Sequence, residues 1–334
     1  MLSGALSIPL SVSPLRTRIT LASFAKRIVM TRTQREKVKG KPLGYFHLCT
    51  DGLKDRKLFN SIIEYAYGMT VLGLIVLKFD ITLYAFSLMP NHIHIIMKGT
   101  GANALKSFDY MCKMISANLV KNGFPPLEDY GFKLVEINDK EQMRKEIIYV
   151  LRNGFEKNFA TPGGYMWSSG WLYYSDMPRL ITGEKAAEMS QREIRRRTGT
   201  KDSVPAEWIF HPVLGLSPSS FVDTGMVYKL FDGVKDFESA LVKDYEAYVK
   251  TARELDESVE FSSLEIHDIV GQVLQKHYGG KSLKSLSQDE KCKLAVILSR
   301  TYTLNSYQIS TSIFLKEVIV KQVINAKDYR HLTI

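Results

Sequence analysis

The sequence predicts an α+β protein: a ferredoxin-like antiparallel sheet with helices on one face, followed by a small all-helical C-terminal domain. Three observations predict it. Between residues 45 and 153 the apolar pattern runs strand, helix, strand, strand, helix, strand, helix. A Met89-Pro90-Asn91 turn joins two of those strands as a hairpin. Residues 262 to 327 carry helix signals instead, among them the capping boxes Ser262/Glu265 and Ser287/Glu290.

The elements follow in order. YFHLCT (45–50) reads as the first strand and KLFNSIIEYAYGMTVL as a helix with apolar residues at helical spacing. TLYAFSLM (82–89) and HIHIIMK (92–98) are the hairpin strands. ALKSFDYMCKMISANLVKNG is an amphipathic helix ending at Gly123, and FKLVEI (132–137) is another strand. Asp139 and Gln142 form a capping box that opens the helix KEQMRKEIIYVLRN, which stops at Gly154. Met143, Ile147, Val150 and Leu151 fall on its core stripe. Tyr149 and Asn153, four apart, share a different stripe, with Lys145 one turn earlier. A tyrosine off the apolar stripe either has another task or snorkels at the surface.

GGYMWSSGWLYY is aromatic and turn-rich, and 184–201 is a short helix that packs Arg192, Arg195, Arg196 and Arg197 together. That cluster is a phosphate-facing patch or a solvated face. A loop, HPVLGLSPSSF, and a polar helical stretch lead to the C-terminal part. There SYQISTSIF and EVIVKQVIN are short helices around Leu315-Lys316, a helix-turn-helix or a plain three-helix bundle. The expected division is a basic, disordered extension at 1–41, a sheet domain at 42–178, a basic helical linker at 179–260 and a helical domain at 261–334.

Composition narrows the function classes. The 334 residues are 45% hydrophobic and 24% charged, enough to bury real cores. No apolar run reaches the ~18 residues of a membrane span, so no membrane partner is expected. Cys49, Cys112 and Cys292 lie at neither zinc nor redox spacing, which points to a reducing compartment. The net charge of +10 favours a nucleic-acid partner over a merely basic surface. Residues 1 to 30 contain no acid and read equally as a transit peptide or as the result of a mis-assigned start, with Met30 first.

The stretch SLMPNHIHIIMKG (87–99) sets His92 and His94 on the same face of a strand, with Ile93 on the other. Two neutral imidazoles side by side suit a divalent metal, which needs further ligands from elsewhere. Met89-Pro90-Asn91-His92-Ile93-His94, then Tyr149-Val-Leu-Arg-Asn153, then Trp167-Ser168-Ser169, are three phrases in order. In this the chain resembles the single-tyrosine HUH transposases, and among them the REP-associated tyrosine transposases of the IS200-like group. The resemblance covers roughly residues 43 to 170. Gly154 stands where the family usually has proline, and the C-terminal helices are not part of the family core.

The resemblance implies a transposase or endonuclease that cleaves and rejoins single-stranded or hairpin DNA in the cytoplasm, at the nucleoid. Tyr149 would be the nucleophile, leaving a 5′-phosphotyrosyl link and a free 3′-OH. His92, His94 and the amide oxygen of Asn153 would hold Mg²⁺ or Mn²⁺. Lys145, Arg192, Arg195, Arg196, Arg197, Lys316 and Lys321 would contact DNA. A dimer would be able to place Tyr149 in trans. Other tyrosines fit less well: Tyr130 is in a turn, Tyr165 in a Gly-rich loop, and Tyr110 among core residues. A non-catalytic DNA-binding regulator on the same fold is the alternative. A histidine-triad hydrolase needs a third histidine where Ile96 stands, and a relaxase or replication initiator lacks its helicase segment and second tyrosine here.

Overall fold

The computed structural model describes residues 31–53, 55–128, 130–154 and 164–326. The expectations for residues 1–30 lie outside the described residues. Part of the basic arm that follows is folded: helix α1 (Arg32–Lys39) begins at a Thr31/Gln34 capping box. It is tied down by an Arg35–Asp109 ion pair.

The chain then runs β1 (Gly44–Thr50), α2 (Ile62–Lys78), β2 (Thr82–Leu88), β3 (Ile93–Gly99), α3 (Gly101–Lys121), β4 (Phe132–Ile137) and α4 (Lys140–Arg152). The strands form one antiparallel sheet in the order β2-β3-β1-β4. This is the ferredoxin-like order that the element sequence predicts. In the register, His94 lies opposite Cys49 on one side and Ser87 on the other. With the alternation of a strand, this puts His47, Cys49 and His94 on a common face. Phe46, Leu48, Ile93 and Ile95 point the other way, and all are buried.

Helices α2 and α3 cover that apolar face. Phe108 of α3 packs on Phe132 with centroids 4.3 Å apart, and Gly68 of α2 closes on the Phe59 and Leu88 side chains. Helix α4 crosses the opposite face, over β2 and β3. The turn-rich WSS segment guards the sheet edge: Leu88 N–H donates to Trp167 O at 2.8 Å and Ser169 N–H to Phe86 O at 3.0 Å. Pairing there blunts an otherwise open edge strand.

The stretch expected as a linker folds onto this core. It contains α5 (Met177–Leu180), α6 (Gln191–Thr198), α7 (Gly225–Leu230), α8 (Val234–Lys243) and α9 (Tyr245–Leu255). A small sheet of β5 (Glu184–Lys185), β6 (Ile209–His211) and β7 (Gly215–Leu216) rests on α2. Helices α8 and α9 pack on α4. The last helices are α10 (Ser263–Tyr278), α11 (Gln288–Tyr302), α12 (Ser306–Ile313) and α13 (Glu317–Asn325). They share a second apolar core with α9, which Cys49 and Tyr149 join from the sheet side. Between α12 and α13, Phe314 takes the left-handed conformation that a glycine would usually supply. No helix among the described residues is long and apolar enough to cross a membrane.

Candidate active site

Helix α4 is covered on both sides, by the sheet beneath and by α8 and α9 above. Its last two turns are therefore buried all round, from Glu146 to Arg152. Tyr149 is only 2% exposed, so the stripe expected to be free of the core is itself covered. Residues 146, 149 and 153 lie on that stripe, and it faces the histidines of the sheet.

The expected residues come together there. The His92 and His94 rings are 4.7 Å apart and nearly perpendicular. The Tyr149 ring stands edge-on to His94, with centroids 5.5 Å apart. Asn153 caps α4, and its Nδ2 donates to Tyr149 O at 2.9 Å. The Asn153 side chain also favours the charged form of His94.

Five further residues enter the cluster. His47 and Cys49 come from β1, Glu146 from α4, and Tyr248 from α9, where its ring lies 5.0 Å from that of Tyr149. Glu257 follows α9. Asp256, left-handed with φ of 58°, turns the chain at the end of that helix, and Lys133 of β4 holds the turn through Leu255 O. Glu257 thereby projects into the site. Its Oε2 accepts the Tyr149 phenol hydrogen, and its Oε1 accepts from Cys49 Sγ at 3.1 Å. His92 Nε2 lies 3.8 Å from Oε1 and His94 Nε2 lies 3.7 Å from Oε2.

His47 and Cys49 carried a local signal, since they alternate on strand β1. Glu146 lay one turn before Tyr149. Glu257 has no sequence neighbour among these residues, and only the tertiary fold brings it in.

These donors fit a divalent ion. Among the described residues the buried His94 Nε2 has no hydrogen-bond partner, which is costly for a polar atom unless something else fills the position. Two neighbouring ligands each ~2.1 Å from an octahedral ion lie about 3.0 Å apart. The nitrogen-to-carboxylate separations of 3.7 and 3.8 Å are within an ångström of that. Cys49, His94 and Glu257 offer ligand atoms all within 4.8 Å of one another. Burial, and then Glu257, push the Cys49 thiol well above its usual range. It therefore acts here as a hydrogen donor to the carboxylate, which suits a hard oxygen and nitrogen site better than a thiolate one.

Burial and the neighbouring groups set the protonation of the site. Burial, His92 and His47 hold His94 well below the usual imidazole range, so it is uncharged at neutral pH. Burial and the Glu257 carboxylate push the Tyr149 phenol far above its ordinary value.

The residues expected to contact DNA lie elsewhere. Lys145 is bridged to Glu141. Arg196 and Arg197 both bond to Glu193, whereas Arg192 and Arg195 are exposed on α6. Lys316 is exposed at the start of α13, and Lys321 pairs with Glu317 at 2.9 Å.

No protein-family model matches this chain, and no curated protein does. Among solved structures, a REP-associated tyrosine transposase bound to a REP hairpin matches 49% of this chain and 90% of its own length. The match is at 12% identity and a TM-score of 0.33. At that distance the functional reading stands on the chain's own residues.

Proposed function

We propose that the chain is a metal-dependent, single-strand DNA transposase or endonuclease that works through a 5′-phosphotyrosine at Tyr149. The observation that supports this best is the meeting of a phenol, two imidazoles and a carboxylate in one cluster, with Tyr149 and His94 buried and His92 and Glu257 partly exposed. Transesterification needs a nucleophilic oxygen, a place for its proton and charge relief on the phosphate. Tyr149 supplies the oxygen. Glu257 Oε2, which already accepts the phenol hydrogen, takes the proton as the oxygen–phosphorus bond forms. The 3′ oxygen leaves as an alkoxide and takes a proton from water to become a free hydroxyl, and the reverse reaction rejoins the strand without ATP. His92 and His94 hold Mg²⁺ or Mn²⁺, with Asn153 beside them as the expected third ligand and Glu257 as a further oxygen donor. The ion, when bound, neutralises charge on the phosphate oxygens. Tyr248 packs against the Tyr149 ring and fixes its orientation.

One observation favours the second reading, a DNA-binding regulator without catalysis. Tyr149 is 2% exposed and its phenol is bonded to Glu257. A phosphate reaches it only if the Glu257 turn moves.

The test is incubation of the full chain with single-stranded oligonucleotides from the DNA flanking its gene, with Mg²⁺ or Mn²⁺. Catalysis gives a protein–DNA adduct on a denaturing gel. Binding to those strands with no metal-dependent nick or adduct would leave the regulator.

A further inference from the structure

The metal reading of the site uses His92 and His94 but gives no role to a second, deeper pair. His47 and Glu146 are fully buried, at 0% and 2% exposure. His47 Nδ1 is 2.6 Å from Glu146 Oε2, and His47 Nε2 is 3.1 Å from His94 Nδ1. The two imidazole rings are 5.2 Å apart. A carboxylate only accepts, so it takes the hydrogen on His47 Nδ1. Where Nδ1 carries the one ring hydrogen of His47, its Nε2 is a bare acceptor, and His94 donates to it from Nδ1. That leaves the lone pair of His94 on Nε2, the atom that faces Glu257 and has no hydrogen-bond partner among the described residues.

We propose that Glu146 and His47 are positioning residues: a buried chain that fixes the tautomer and orientation of His94, so that its Nε2 is presented bare as a metal ligand. The inference rests on the metal reading of the site and deepens it. The chain spans the two elements that build the site, since His47 is on β1 and Glu146 is on α4. It therefore also sets how α4 sits over the sheet. Neighbours of this kind commonly change metal affinity by roughly 10- to 100-fold when removed.

Two measurements on the full-length protein test it. Ring ¹⁵N NMR of the metal-free protein should show His94 protonated at Nδ1 and bare at Nε2. Protonation at Nε2 instead would overturn the proposal. Calorimetric titration with MnCl₂ should then show weaker binding in the double variant His47→Leu/Glu146→Leu, which strands no buried charge. The expected loss is roughly 10- to 100-fold, with DNA affinity unchanged. Glu146→Gln, whose amide oxygen still accepts from His47, should stay close to wild type. Equal Mn²⁺ affinity in the double variant and the wild type would refute the role. If the double variant fails to fold, the tautomer spectrum decides. If the wild type binds no Mn²⁺, the metal reading falls, and the tautomer spectrum still decides whether the chain exists.

Discussion

Replacing Tyr149 with phenylalanine removes one oxygen and keeps the ring. The packing on Tyr248, His94 and His47, at centroid distances of 5.0, 5.5 and 6.0 Å, should survive. The bond lost is the one to Glu257. A hydrogen bond to a charged group contributes about 1.5–3 kcal/mol. Glu257 keeps Cys49 as a donor at 3.1 Å, and its side chain is 21% exposed, so water partly replaces the phenol. The stability loss should fall at the low end, about 1–2 kcal/mol, read as a drop of a few degrees in thermal midpoint. The effect on chemistry should be far larger. At its ordinary pKa a tyrosine costs about 4 kcal/mol to ionise at pH 7, and burial with Glu257 raises that cost. The site must therefore move the proton as the bond forms, and without the phenolic oxygen no covalent intermediate forms at all. Adduct should vanish, with residual hydrolysis slower by orders of magnitude, while strand binding persists. An adduct that survives in Tyr149→Phe, or that maps to Tyr130 or Tyr165, would refute the assignment. Those two hydroxyls already bond to Thr50 and to Leu88 O.

Four further outcomes are expected. His92→Ala or His94→Ala should abolish metal-dependent cleavage and any Mn²⁺-induced rise in thermal midpoint, leaving DNA binding mostly intact; Asn153→Ala should be milder, because water can replace one oxygen ligand. Lowering the pH through about 6.5 should destabilise the metal-free protein: His94 has a depressed pKa in the fold, so the unfolded chain binds its proton first, and stability present above ~6.5 is lost as pH falls towards the folded value. Denaturant midpoints should show that slope, reduced in His94→Asn. Binding to single strands should weaken with salt at a log–log slope near −4 if about six phosphates are neutralised, and Arg192→Ala with Arg195→Ala should flatten it more than Arg196→Ala, whose guanidinium is held by Glu193. Glu265→Ala should cost about 3 kcal/mol or more, measured by urea unfolding, because it strands the buried Arg152.

The strand and helix order was legible because each segment had a clean period, and the hairpin because Met89-Pro90-Asn91 is a turn. His92 lies one residue before β3, and its ring still meets that of His94. The pattern failed for Tyr149 for a physical reason. An amphipathic stripe predicts one buried face, and α4 has two, since α8 and α9 lie on its back. Ile148, Tyr149 and Arg152 are therefore all buried, although a single-sided helix would expose some of them. Arg152 is tolerated there because Glu265, two backbone carbonyls and the Tyr245 and Tyr248 rings surround its guanidinium.

The buried Arg152 also bears on the part played by the C-terminal helices. The sequence pattern sets them apart as a helical domain at 261–334. In the fold, Glu257 reaches Tyr149 from the end of α9, and α9 packs on α11 as well as on α4. Glu265 on α10 neutralises Arg152, one turn below Tyr149 on the same helix. A chain cut at 260 retains Glu257 but loses the charge partner of Arg152 and uncovers Val249, Ala252 and Leu255. Its failure to cleave would therefore say nothing about which residues do the chemistry. Point changes inside the cluster, at Glu257 and Tyr149, separate scaffold from chemistry where a truncation cannot. Glu257→Gln keeps an acceptor for the Tyr149 phenol and removes the charge that takes its proton. Retained folding with lost adduct formation in that variant would place Glu257 in the reaction, and full activity would reduce it to a prop for the turn.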